Sequence, residues 1–440
     1  MDLEGYAKNM LACEDHKTVK DRLSQRIVEI KGWNEQEAEK WADAVIMEVN
    51  NAYSQSSSLL NYYRSNVTMG EFGVGSRGKG DFYAHRKLAE VIGDSKAIIS
   101  SKELDDAGVV KKDGLYFSVA IDGIHSRLSE FPFIAGFHVT RAAMRDIYVM
   151  GTTPVAVFSD IHIADDGDVS KIFDHVAGIS SVCELTDVPL VAGSTLRIGG
   201  DMVIGERMTG GVGCAGIGEY ITARKNSREG DVILLTEGAG GGTIVTTAIY
   251  YGMHDVIEET LNVDFLTACD HILNSDIVLK IHSMSDVTNG GIRGDAEEIS
   301  GVSNTSLIFD MEKVRRMVNP KVLGMLDELE IDFMGVSIDS LMVICPPDAA
   351  QEVKKVVEMS GTRVEEVGWV EKGQGCYTVE NGEKKPLKPR FRESAYTPLK
   401  KVVGEKEPPD FEEMRDEVDK AVNAAVTKKK DVIRRIKEKQ

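Results

Sequence analysis

The sequence predicts a two-domain α/β protein with helical extensions at both ends. Three observations carry that expectation. The chain has 440 residues, more than one ordinary core accommodates. Between residues 105 and 220, β-type runs alternate with segments of helical periodicity. After a Gly/Asp turn at 221–231, "ITARKNSREGD", the alternation begins again.

Residues 1–65 read as a polar helical extension. In "NEQEAEKWADAVIMEVNNAY" Ala38, Trp41, Ala42, Val45 and Ile46 recur at helical intervals, with Asn34 and Glu37 as a capping pair. A glycine-rich basic loop follows in "MGEFGVGSRGKGDFYAHRKL" and enters a helix. In the first domain, 66–220, the expected strands are "LYFSVAID", "TPVAVFSDIHI", "VPLVAGSTL" and "GVGCAGIGEY"; the helices are "FIAGFHVTRAAMRDIYVMG" and "DVSKIFDHVAGISSVCELT". The second domain, 221–379, opens with strand "DVILLTEG" and a helix from Gly241, and helices are expected through 255–282. Strand "DSLMVICPP" precedes a helix at Pro347 that Asp348 is placed to cap, and "VEEVGWV" closes the domain. Residues 380–440, ending "VTKKKDVIRRIKEKQ", read as a charged, solvated helical tail.

Composition narrows the function. The chain is 42% hydrophobic and 28% charged, with a net charge of −19, which repels phosphodiester backbones and argues against nucleic-acid partners. No apolar run approaches the ~20 residues of a membrane span, and the N-terminus lacks a basic-then-apolar leader, so a cytoplasmic protein without membrane partners is expected. The six cysteines are scattered without metal spacing, as in a reducing compartment.

Four aspartate motifs sit where strands or helices meet turns: Asp105 and Asp106 in "ELDDAGVV", Asp122 with Gly123 in "SVAIDGIHS", Asp146 in "AAMRDIYVMG", and Asp286 in "SMSDVTNGG". Alone, each has a plain structural explanation as turn chemistry or a surface ion pair. Together they point to Mg²⁺ and a nucleotide, because Mg²⁺ takes a few carboxylates alongside substrate phosphates. The loop "FGVGSRGKGDF" fits: Gly73, Gly75 and Gly78 permit close backbone approach to phosphate, and Arg77 and Lys79 bring positive charge. It is not a Walker A loop, since Gly80 follows Lys79. Of nine histidines, His125 is best placed, close behind Asp122.

The motif order resembles the aminoimidazole ribonucleotide synthetase (PurM-like) superfamily. "DDAGVVKKDGLYFSVAIDGIHSRL" is similar to the GDDAAV…TD…GVH segment of thiamine-monophosphate kinases, and "RAAMRDIYVMGTTPVAV" to their NLSDIAAMGGxP helix. "VPLVAGSTLRIGG" resembles VxLVGGDTTR, and "SMSDVTNGGIRGDAEEIS" the DxTxGG helix start of selenophosphate synthetases. Archaeal selenophosphate-synthetase-related members are the nearest in pattern. The resemblance implies a homodimer paired through strands of the N-terminal domain, with ATP and Mg²⁺ between the two domains. It implies metal and phosphate contacts for Asp105, Asp106, Asp122 and Asp146, and a glycine-rich loop covering the nucleotide, with Arg77 and Lys79 over the phosphates. Asp286, Asn289, Gly290 and Gly291 would complete the pocket, with Gly123, Gly193 and Thr195 as further contacts.

The departures are specific. Gly193-Ser194-Thr195 stands where the kinases have Gly-Gly-Asp-Thr; no cysteine lies between Cys13 and Cys183; and "AIDGIHSRL" has no lysine where the synthetases have TDGVGTK. The expected activity is ATP- and Mg²⁺-dependent phosphoryl transfer to a small-molecule acceptor. The alternatives are a non-catalytic nucleotide-binding regulator, or a thiamine-monophosphate-kinase-like or selenophosphate-synthetase-like activity.

Overall fold

The computed structural model describes residues 1–54, 57–288, 290–393 and 395–439. Three helices come first: α1 (Leu3–Leu11), α2 (His16–Lys31) and α3 (Glu35–Tyr53). They close around their own small core, which includes Leu3, Leu23, Ile27 and Val45. Asn34 caps α3 as the pattern predicts: its side chain accepts from the Glu37 amide at 3.0 Å and donates to the Glu37 carboxylate at 2.8 Å. The buried Lys31 ammonium ties the bundle to the loop after the third strand, 2.6 Å from Asp166.

After α4 (Met69–Phe72), the glycine-rich loop and α5 (Lys79–Ile92) comes the first sheet. Its strands are β1 (Gly108–Lys112), β2 (Leu115–Gly123), β3 (Thr153–Ile163), β4 (Leu190–Arg197) and β5 (Met208–Gly218). Their order is β1-β2-β5-β3-β4, antiparallel except for the parallel β3–β4 pair. Two helices, α6 (Pro132–Val149) and α7 (Ser170–Thr186), pack on one face. The other face is open and apolar, with Val119, Ile121, Val155, Val191 and Leu196 exposed.

The second half runs β6 (Val232–Thr236), α8 (Gly242–Tyr251), α9 (Asp264–Leu273), β7 (Ser283–Asp286), α10 (Gly291–Ser303), β8 (Thr305–Asp310), α11 (Met311–Arg316) and α12 (Pro320–Glu328). It continues with β9 (Leu341–Cys345), α13 (Pro347–Met359), β10 (Val364–Lys372), β11 (Gly375–Glu380) and β12 (Glu383–Pro386). The strand order is β12-β11-β8-β10-β6-β9-β7. Strands β6 "VILLT" and β9 "LMVIC" are apolar throughout because both their faces are covered: Leu234 and Val343 point into one core, Ile233 and Met342 into another. The mixed α/β, two-sheet architecture is the predicted fold class.

Local differences from the sequence reading have physical causes. Residues 255–282 hold one α-helix, α9, between 3₁₀ turns at His254–Thr260 and Asp276–Lys280. "SMSD" is a strand, recruited as the sheet edge by antiparallel pairing with β9, which a four-residue local pattern does not reveal. Asp348 lies inside the first turn of α13 and caps nothing; Pro347 at the first helical position makes Pro346 the cap residue.

The charged C-terminal part is not one solvated helix. Residues 387–393 and 395–397 form an irregular strap in which Leu387, Phe391, Glu393 and Tyr396 are buried. They are too sparse for any periodicity to expose them. Then α14 (Pro398–Val403) leads to α15 (Phe411–Lys437), which lies along α5 with Phe411 packed against Phe72 and Phe391. No described helix is long and apolar enough to cross a membrane.

Candidate functional site

A cleft of about 720 Å³ opens between the two halves, and α6 lines its floor. Helix α6 touches the first sheet on one side and β7 and α9 on another, so it is buried along most of its length. Small Ala142 and Ala143 let neighbours approach it closely, and the next turn presents Asp146 to the cleft. Asp106 comes from the loop entering β1, and Asp286 is the last residue of β7. One carboxylate oxygen from each of Asp106, Asp146 and Asp286 lies within 4.8 Å of the other two. Asp122 also lines the cleft. The period-two alternation of β2 puts it on the same face as Ser118 and Ala120, toward the helices, while Val119 and Ile121 point the other way.

Burial makes this cluster expensive to ionise. The Asp146 carboxyl is pushed well above the ordinary aspartate range by burial, and by the charges of Asp286, Asp106 and Asp122. Asp106 is raised in the same way, against the pull of Arg224. Burial raises Asp286 against the pull of Arg145, and raises Asp122 from 3.8 to about 6. The second oxygen of Asp286, Oδ1, is buried and has no hydrogen-bond partner among the described residues. Such an atom needs a cation or a donor to offset its desolvation. An all-oxygen donor set of this kind suits a hard divalent ion such as Mg²⁺, not zinc.

Three arginines organise the carboxylates, and sequence reading singled out none of them for the site. Arg145 Nε donates to Asp286 Oδ2 at 3.2 Å, and its Nη1 pairs with Asp339. Arg141 Nη2 meets Asp339 at 3.4 Å. Arg224, fully buried, donates to Asp106 and Glu298 at 2.5 Å each and to Ser285 Oγ at 2.9 Å, with Asp295 at 3.4 Å. A signal for Arg141 and Arg145 was present, since two charges sit in an otherwise apolar helix beside Asp146. For Arg224, in a polar turn, there was none.

Asp105 also lines the cleft, beside Asp106. It accepts from the backbone amides of Arg224, at 3.0 Å, and of Asp106, at 3.1 Å, and so holds the turn that aims Asp106.

The glycine-rich loop reaches the cleft with Gly75 and Arg77, while Gly73 and Gly78 pack against the C-terminal strap. Buried Asp81 shapes the loop by accepting from the Gly75 and Arg77 amides, both at 2.8 Å. The Arg77 guanidinium lies 3.4 Å from Glu298 and 3.8 Å from Asp295, and those carboxylates raise its pKa although burial opposes them. Lys79 does not enter the cleft: it pairs with Glu407 at the surface, 2.9 Å away. Gly123 lines the cleft beside Asp122, its amide donating to the Asp122 carboxylate at 2.8 Å.

Gly193 and Thr195 lie on the exposed strand β4, in register with Ser159 and Ile161, away from the cleft. Asn289 falls outside the described residues. Gly290 and Gly291 start α10 with φ of 108° and 61°, and a Cβ on Gly291 would stand 2.3 Å from the Met334 carbonyl oxygen. The packing of the protein itself therefore demands glycine there. His125 also lines the cleft, as do Thr243 and Ser337. Its ring bridges Thr246 Oγ1 at 3.1 Å and Tyr396 OH at 2.9 Å, and burial lowers its pKa to about 4.

The family model described as AIR synthase related protein, N-terminal domain, matches residues 104–217, and its C-terminal-domain counterpart matches 228–380. The chain belongs to the AIR synthase related family. Within known proteins, it is 54% identical over 455 residues to an uncharacterized protein of Methanocaldococcus jannaschii, covering all of this chain and 99% of that one. It is 24% identical over 237 residues to a selenide, water dikinase of Myxococcus xanthus, covering 52% of this chain and 65% of the relative.

Among solved structures, a HypE–HypF complex chain superposes with a TM-score of 0.58 at 17% identity, covering 70% of this chain and 99% of that chain. A ThiL chain complexed with AMPPCP and TMP gives 0.54 at 17% identity, covering 72% and 97%. At these identities the structural likeness establishes the family fold.

Proposed function

We propose that the cleft binds ATP with Mg²⁺ and transfers the γ-phosphoryl group to a small-molecule acceptor. The observation that carries the reading is the convergence of Asp106, Asp146 and Asp286 within 4.8 Å, with Asp286 Oδ1 buried and unpartnered. Asp106, Asp146, Asp286 and, beside them, Asp122 would hold Mg²⁺, which when bound neutralises phosphate charge and aligns the transferring group. Asp105 holds the turn that aims Asp106. Arg77, at the cleft end of the glycine-rich loop, supplies the positive charge facing the phosphates; Lys79 has no such part.

The apolar lining residues Val74, Leu88 and Ile92 suit a nucleobase. The polar lining residues His125, Thr243 and Ser337 suit the acceptor. There His125, neutral and held on both ring nitrogens by Tyr396 and Thr246, fixes the wall of the cleft without adding charge. The named ligands of related proteins, AMPPCP with ThiL and ADP with PurL, support a nucleotide in this fold.

We take 66–220 and 221–379 as the two functional domains flanking the cleft, with 1–65 and 380–440 as extensions. The open apolar face of the first sheet supports a homodimer paired there. The regulator reading rests on Ser194 and on the lack of a recognised nucleophile; Ser194 lies on the edge strand β4, in register with Asp160 and outside the cleft lining, so the cleft keeps its carboxylates.

Calorimetric titration with ATP, with and without Mg²⁺, tests the assignment. Metal-dependent binding that is lost in Asp286→Asn is expected; equal affinity in that variant would overturn it.

A further inference from the structure

The C-terminal strap, residues 387–393 and 395–397, lies beyond both family matches and touches the candidate site at two points. At its far end Tyr396 holds His125. At its near end it grips the glycine-rich loop from outside. The Lys79 amide donates to the Arg390 carbonyl at 3.1 Å, and the Glu393 amide donates to the Ser76 carbonyl at 3.1 Å. Arg392 reaches back with Nη2 to the carbonyls of Gly70 and Glu71, both at 2.9 Å. A Cβ on Gly78 would stand 2.2 Å from the Phe391 carbonyl oxygen, so the two backbones lie in contact. The Phe391 ring packs edge-on against Phe411, 5.0 Å between centroids, within the cluster that buries Phe72.

The strap is in turn anchored to the second half. Arg390 Nη2 lies 3.0 Å from Asp332, and the buried Glu393 lies 3.3 Å from Arg293 of α10. The loop that carries Arg77 is therefore pinned between α10, where Arg77 faces Glu298, and a segment arriving from the C-terminus. A glycine-rich loop left to itself samples many conformations, and each additional backbone contact removes part of that freedom.

We propose that Phe391 and Arg392 are positioning residues for nucleotide binding: the strap holds the glycine-rich loop in place so that Arg77 is already presented to the phosphates. This rests on the nucleotide reading above. The strap acts through the loop and touches no phosphate itself. Pre-organisation of this kind raises affinity by lowering the ordering cost at binding. Its loss shows mainly as faster release of the nucleotide.

The test uses the full-length chain and two variants, Arg392→Ala, which removes three hydrogen bonds at the surface, to the carbonyls of Gly70, Glu71 and Lys406, and Phe391→Ala, with Phe391→Leu as the conservative control. Hydrogen exchange of the Gly75, Ser76, Arg77 and Lys79 amides is measured without ligand, and Mg-ATP affinity and release rate by calorimetry and stopped flow. Expected are about tenfold faster exchange and about tenfold weaker Mg-ATP binding in Arg392→Ala, the latter through faster release. Amides of β6 and β9 should exchange as in the wild type, and Phe391→Leu should recover most of what Phe391→Ala loses.

Wild-type binding with unchanged affinity and exchange in Arg392→Ala overturns the strap's role alone. Slower association in place of faster release also overturns it. A wild-type chain that does not bind Mg-ATP removes the nucleotide reading and the strap's role together.

Discussion

Arg145 of α6 donates to Asp286 at the end of β7 across 3.2 Å, joining the helix that floors the cleft to the second half of the molecule. The same guanidinium pairs with Asp339, so one side chain of the first half fixes two carboxylates of the second. Asp146, the next residue along α6, forms no such pair among the described residues and lies with Asp106 and Asp286 in one carboxylate cluster. Adjacent residues thus divide the work. Arg145 lowers the cost of assembling the carboxylates, and Asp146 adds to it.

That division predicts opposite effects on stability and binding for Asp146→Asn. Removing a carboxylate that burial and three like charges resist should raise the ligand-free thermal midpoint by roughly 1–3 °C. It should weaken Mg-ATP binding on the order of 100-fold. Thermal denaturation with and without Mg-ATP measures both; a lowered ligand-free midpoint would contradict the electrostatic account.

The pH dependence follows from Asp122, whose carboxyl titrates at about 6 against 3.8 when exposed. In the folded, ligand-free chain its ionised form is disfavoured, so its destabilising contribution is full above pH 6 and fades as pH falls toward 3.8. On the proposed function Mg-ATP would require the ionised carboxylates, and protons would compete with it in the same window. The midpoint gain from Mg-ATP should therefore shrink between about pH 7 and pH 5. Asp122→Asn should bind Mg-ATP more weakly and remove part of that slope.

Arg224 should behave as a structural keystone. Its replacement by Met leaves Asp106 without its cation and Asp295 and Glu298 with Arg77 alone, a loss of about 3–5 kcal/mol by analogy with broken buried ion pairs. Arg224→Lys, with a point charge in place of the planar fork, should fall between. Urea denaturation separates the three proteins. A Met variant as stable as the wild type would mean the carboxylates protonate at little cost.

The open face of the first sheet should hold a second copy. Val119→Asp, on the exposed face of β2, is expected to convert a dimer to a monomer in sedimentation velocity while leaving the far-UV spectrum unchanged. A wild-type chain that sediments as a monomer removes this prediction.

Much of the architecture was legible because it is local. The runs "LYFSVAID" and "VILLT" are strands, "FIAGFHVTRAAMRDIYV" is a helix, and Asn34 caps α3, since alternation, periodicity and capping act over a few residues. Asp106, Asp122, Asp146 and Asp286 stood out as acids placed at turns or in apolar surroundings, and all four line one cleft.

What only the tertiary structure decided is who meets whom. Asp105 lines the cleft with its carboxylate taken up by backbone amides, Lys79 turns to the surface, and Arg224 arrives from a polar turn to bind carboxylates from both halves. The strap after Pro386 carries too few apolar residues to announce itself, yet Leu387, Phe391, Glu393 and Tyr396 are buried. Ion pairs and close backbone contacts between segments more than 300 positions apart, such as Lys79 with Arg390, leave no periodic trace in either segment. They depend on the packed arrangement of both halves, and local sequence encodes the halves separately.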